Sequence, residues 1–204
     1  MALNFANNNS LSAITTKPSG LSGGALNLIS TQTASSSSTI SFTSGIDDTY
    51  DEYVFKFYDI HPATDDAKLT FQFDTGTNTN YNQTITSTYF NVAHKEDDSS
   101  TAFSYTTSQD QAQGTSFQNS GLAPGNANDE CGSGTLHLFS PADTTFVKHF
   151  ISNVQSVFGN EQSGNVYVAG YVNTTTAITR VQFKMSSGNI DSGIIKLFGV
   201  SWCL

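Results

Sequence analysis

Val181-Gln182-Phe183-Lys184-Met185 and Ile194-Ile195-Lys196-Leu197-Phe198-Gly199-Val200, held apart by the polar, glycine-marked stretch Ser186 to Gly193, decide the fold class. The first run alternates apolar and polar residues, and the second is dense in β-branched and aromatic side chains. Both therefore read as strands, an antiparallel pair that ends the fold. Upstream the same signature recurs with almost no helical periodicity between. Lys68-Leu69-Thr70-Phe71-Gln72-Phe73-Asp74 sends Leu69, Phe71 and Phe73 to one side and polar residues to the other, which predicts a strand with one wet face. Tyr53 to Tyr58 places Tyr53, Phe55 and Phe57 together on a core face.

Further strands are expected at Thr39 to Thr43, Ile85 to Val92, Gly134 to Phe139, Thr145 to Ile151 and Asn165 to Val172. Pro62 limits pairing after the second of the aromatic runs, and Ser140-Pro141-Ala142-Asp143-Thr144 suits a hairpin connection. Asp74 to Asn80 reads as a second turn. Residues 93–133 are polar and irregular. A loop of that length without structure is unusual in a compact domain, so short strands are expected near Ala102 to Tyr105 and Thr115 to Gln118. About nine or ten strands joined by Gly, Asn, Asp and Pro turns give an all-β chain. The expected architecture is a jelly-roll-like antiparallel β-sandwich over residues 39–204, whose long crossovers absorb the irregular middle.

Residues 1–38 differ from the rest, being rich in Ser, Asn and Gly with spaced apolar residues such as Leu3, Phe5, Leu11, Ile14, Leu26 and Leu28. Such a segment cannot bury enough apolar surface by itself to offset its ordering entropy. Two readings stay open for it, an extended N-terminal arm lying on a neighbouring subunit or an unanchored terminus, and Ala25 to Ile29 suits a short strand. Only 12% of the 204 residues are charged, so hydroxyls and amides must keep the surface wet. A formal charge of −9, with eight scattered Lys and Arg, argues against nucleic acid as a partner. The chain also lacks a long apolar run and a secretory leader pattern, so neither a membrane span nor ordinary secretion is expected.

The chemical candidates are thin. Glu52, Glu96, Glu130 and Glu161 fall in expected turns or irregular segments rather than facing one another as a glycosidase pair. Asp47, Asp48, Asp51 and Glu52 offer hard oxygen ligands but lack the alternation of a calcium loop; Asp74 and Asn78 imitate its first and fifth positions, without the glycine and closing glutamate. His137, His149 and Cys131 sit on or near neighbouring expected strands without the close spacing of a zinc site. No serine occupies a nucleophile elbow, and Ser19 to Gly24 has no strand and helix to make it a phosphate loop. Cys131 and Cys203 pair only if the fold brings them together. Asn8, Asn82 and Asn173 open sequons relevant only to a secreted eukaryotic protein, and Trp202 reads as a core plug or a subunit contact. No catalytic, cofactor-binding or metal-ligating residue is assigned, and no cofactor is expected.

Ser41 to Asp47, Tyr53 to Pro62, Thr145 to Phe150 and the phrase from Ser186-Ser187-Gly188 to Ile195-Lys196-Leu197-Phe198-Gly199 resemble a family of small virion-associated structural proteins in tailed phages of marine bacteria. The resemblance covers roughly residues 39–200. It implies a component of the virion, assembled in the host cytoplasm, on the head exterior or the tail, and it carries no site residues. The function expected is that of a non-enzymatic virion structural protein, a decoration or tail-associated subunit held by its arm and one sheet face. Its partners would be other capsid or tail subunits and copies of itself, with a trimer as the expected homo-oligomer. The rival is a receptor- or carbohydrate-binding tail-fibre tip, in which Tyr81, Tyr89, Tyr105 or Phe117 stacks on sugar rings.

Overall fold

The computed structural model describes residues 25–201, so the expectations for Asn8, Trp202, Cys203 and residues 1–24 lie outside the described residues. Twelve strands are formed there. They are β1 (Leu26–Ser37), β2 (Ile40–Phe42), β3 (Glu52–Pro62), β4 (Leu69–Thr75), β5 (Ile85–Lys95), β6 (Thr101–Tyr105), β7 (Gln118–Asn119), β8 (Gly132–Phe139), β9 (Lys148–Phe158), β10 (Gln162–Val172), β11 (Ile178–Met185) and β12 (Ile190–Val200). Every pairing is antiparallel. No helix among the described residues is long and apolar enough to cross a membrane.

The strands make a large sheet in the order β1-β12-β3-β8-β9-β10-β5-β6 and a small one in the order β2-β11-β4-β7. A jelly roll is a long antiparallel hairpin rolled up, so that strands from its two ends stay paired as they wrap. Here β1 pairs with β12, β2 with β11, β3 with β8 and β4 with β7, while β12–β3 and β11–β4 close the two sheets. The other four strands are two insertions, β5–β6 and β9–β10, and both widen the large sheet, with β9 still meeting the small one through Phe150 against Phe71 and Phe73.

Phenylalanine fills the space between the sheets. Phe183 on β11 meets Phe42, Phe55, Phe57 and Phe71 at centroid distances of 5.3–6.5 Å, three of the four pairs edge to face, the geometry ring quadrupoles favour. Beyond the small sheet, the chain between β6 and β8 covers the inner side of the inserted strands. Its backbone is received by hydroxyls rather than by apolar side chains. Gln111 N–H donates to Ser87 Oγ at 3.0 Å, Ser87 Oγ to Gln118 Oε1 at 2.6 Å, and Ser152 Oγ to the Ser120 carbonyl at 2.8 Å. Gly121 passes close to β9 and β10, with φ +100°, where a Cβ would stand 2.7 Å from Val154 and 2.8 Å from Val166. Only glycine meets both demands.

Several expectations are corrected here. Residues 26–37, read as part of the arm, form the edge strand β1 along β12. An edge strand satisfies its backbone by pairing, and only Ala34 and part of Ile29 need turn to the core. The two closing strands do not pair with each other, since β11 lies in the small sheet and β12 crosses to the large one. Residues 152–164, left without strands, continue β9 and begin β10 around a tight turn at Gly159 to Glu161. The polar side of β4 is dry rather than wet: Gln72 is fully buried, with its amide nitrogen 2.9–3.2 Å from the carbonyls of Gln83, Thr115 and Ser116. Asp74, 1% exposed, accepts from the N–H groups of Thr75 and Tyr81 at 2.8 and 2.9 Å. The loop that follows joins the two sheets and is not a hairpin turn.

Candidate functional site

One face of the large sheet is packed against the small sheet and the 106–131 segment, and the other carries no covering layer among the described residues. Strand register places a row across it: Thr31, Lys196, Lys56, Thr135, Asn153, Tyr167, Phe90 and Tyr105. A second row runs Leu28, Phe198, Val54, His137, Ile151, Ala169 and Thr88. Neither row holds a carboxylate, in a chain with 17 Asp and Glu. Glu52 stands at one margin, its Oε1 2.6 Å from His137 Nδ1, and Asp59 sits in the bulge of β3 at the other, at φ +49°.

The two ends of this face differ in chemistry. On β10, β5 and β6, Phe90 stacks on Tyr167 at 5.1 Å and 11°, and Phe103 leans toward Phe90 at 6.1 Å. Phe103 is 76% exposed and Tyr105 51%, with Val92 beside them. All five residues of β6 are exposed, and its far edge has no strand partner. On β12 and β3 the face is cationic. Lys196 and Lys56 are direct cross-strand partners, Lys56 Nζ lies 5.5 Å from the Phe198 ring and Lys196 Nζ 5.2 Å from the Tyr58 ring. Neither lysine belongs to an ion pair among the described residues.

Two open grooves flank the sheets. One, about 540 Å³, lies at the β8–β9 turn between Phe139, Asp143, Phe146, His149 and Thr175. Asp143 closes its own turn there, accepting from the N–H of Phe146 at 2.7 Å and of Thr145, and these bonds hold its carboxyl below the ordinary value. Lys148 is buried behind it, donating to the carbonyls of Phe146 and Thr174 at 3.2 Å, and desolvation lowers its ammonium pKa. The second groove, about 490 Å³, is polar, set between Lys68, Thr70, Gln109, Asp110, Phe117 and Asn119. Lys184 Nζ stands 3.9 Å over the Phe117 ring, and Tyr105 donates to Asp110.

The residues weighed from sequence scatter in the fold. Asp47 is spent on its turn, accepting from Thr49 N–H at 2.9 Å and from the Tyr53 hydroxyl at 3.0 Å, while Glu52 turns to His137. Glu130 accepts from Ala127 N–H at 2.9 Å and closes the 127–130 turn. His137 lies opposite Ile151 and His149 opposite Tyr171, so the two histidines do not meet across the ladder. No group of three His, Cys, Asp or Glu that could hold a metal ion forms among the described residues. The Cys131 thiol is half-buried and pushed up, first by burial and then by Asp59. Of the aromatics proposed for sugar stacking, Tyr81 and Tyr89 are buried. The uncovered face itself was missed because alternation marks which side a strand buries, not which buried strands share a sheet. The signal available was the absence of acid from β8, β9 and β10.

No family model, no curated protein and no solved structure matches the chain.

Proposed function

We propose that this chain is a non-enzymatic structural protein of a virus particle, an exterior decoration or tail-associated subunit that seats its large sheet on neighbouring subunits. The observation that carries the reading is the contiguous group Phe90, Val92, Phe103, Tyr105 and Tyr167 at an open sheet edge. Exposed aromatics grouped in this way are rare on surfaces that meet only water and are the usual anchors of protein contacts. The jelly roll adds weight, being a fold common in capsid proteins, although fold alone never assigns function. Residues 1–24 join the fold at Ala25, whose carbonyl accepts from Ser201 N–H at 2.9 Å beside β1, and we assign them to a second point of attachment.

The test uses particles from a phage deleted for this chain, mixed with the purified full-length protein and sedimented. Saturable binding is expected, with Phe103→Ser and Tyr167→Ser each weakening it by about tenfold or more. Both side chains are exposed, so thermal stability should hardly move. Absence of binding, or binding indifferent to both substitutions, would overturn the reading.

The polar groove favours a second reading, a carbohydrate-binding tip. Amides, a carboxylate, an ammonium and the Phe117 ring are the groups that recognise hydroxyl-rich ligands. Glycan-array binding lost on Asp110→Ala would support it, and a silent array would remove it.

A further inference from the structure

We propose that the lysine-bearing end of the large sheet is a self-association surface, occupied by the acidic 47–51 turn of a second copy of this chain. Lys56 and Lys196 face each other directly across the β3–β12 ladder. Like charges in that position repel at a separation of about 5 Å between Cβ atoms. Each ammonium stands over an aromatic ring, Lys56 Nζ 5.5 Å from Phe198 and Lys196 Nζ 5.2 Å from Tyr58, so the two lean apart along the ladder and neither meets a carboxylate. A chain with 17 carboxylates places none of them in the rows these lysines occupy. Among the described residues both cations lack an anionic partner, and one supplied from outside the protomer would complete them.

The same chain supplies the complement. Asp47-Asp48-Thr49-Tyr50-Asp51 is a strongly acidic segment, and its three aspartates are exposed in the connection between β2 and β3. Asp47 is engaged by Thr49 and Tyr53, whereas the carboxylates of Asp48 and Asp51 form no ion pair among the described residues. Turn and lysine pair are different surfaces of the protomer, so the contact is head-to-tail. Such contacts close into a ring when the rotation allows. Leu28, exposed beside Phe198, gives the contact an apolar margin. This inference stands apart from the particle reading, for a chain that assembles with itself and never enters a virion would leave it intact.

Light scattering on the full-length protein tests it. Assembly is expected at about 10 mM salt and its loss near 1 M, as the screening length falls from about 30 Å to about 3 Å. Lys56→Glu/Lys196→Glu and Asp48→Lys/Asp51→Lys should each weaken association by about tenfold or more, and an equimolar mixture of the two variants should regain it. Lys56→Met/Lys196→Met separates assembly from folding, because removing the like-charge pair should raise the melting temperature of the protomer while weakening association. A protein monomeric at low salt, or an oligomer that persists through either charge reversal, would overturn the proposal.

Discussion

Phe183 shows what a single side chain does here, since its ring is the meeting point of four other phenylalanines drawn from both sheets. Phe183→Ala would remove a fully buried ring that the rigid strands around it cannot replace, and should cost about 3–5 kcal/mol, read from urea unfolding. Titratable residues define the pH limits of stability. Burial pushes the Tyr89 hydroxyl up to about 12 from an ordinary 10, and burial does the same to Tyr53. The folded state then holds these protons more tightly than the unfolded chain, so their contribution is whole below pH 10 and is lost as pH rises toward about 12. Melting temperature should fall across that window, and less steeply in Tyr89→Phe. At the acid end the sign reverses. Hydrogen bonds from Thr49 and then Tyr53 hold Asp47 below 3.8, so its contribution is present above that value and lost as pH falls below it. Residue by residue, the core was legible wherever apolar side chains alternated, as at Leu69, Phe71 and Phe73. It was not legible at Gln72, Asp74 or Ser152, which are buried because a passing backbone, not water, supplies their partners.

At the level of elements, strands could be read but their sheet could not. The runs at 53–58, 69–74 and 181–185 are strands where alternation placed them, the short strand expected near 102–105 exists as β6, and the one expected at 115–118 is displaced to the two residues of β7, Gln118–Asn119. Alternation is a property of one strand, however, and the crossing from β11 to β12 depends on which face each presents across the sandwich. β1 escaped for the opposite reason. Its polar, serine-rich sequence lacks an apolar face, yet pairing with β12 from Leu26 to Ser37 satisfies its backbone. Truncation separates this strand from the residues before it. Removing residues 1–24 leaves β12 covered and should give a soluble folded protein. Removing residues 1–37 bares an 11-residue edge with Ile195 and Leu197 beneath it, and should give aggregation on size exclusion.

Taken whole, the molecule is asymmetric, because four strands cannot cover eight. The inserted strands are covered on their inner side largely by the 106–131 segment, and the outer side carries no covering layer among the described residues. Seven inter-strand steps of about 4.8 Å make the sheet about 34 Å wide, enough for a standard protein interface. Charge on the face is one-sided as well, since the two rows that cross it hold Lys56 and Lys196 and no carboxylate. The low charge and the all-β class were legible in the sequence, since both are sums over residues. The face was hidden, for it exists only once eight strands are ordered. Whether this face is where the protein meets its neighbours is answered by hydroxyl-radical footprinting of the chain free in solution and assembled on its particle. Phe90, Phe103, Tyr105 and Tyr167 should lose their reactivity on assembly. Unchanged reactivity at those four rings, with protection appearing on another surface, would contradict that expectation.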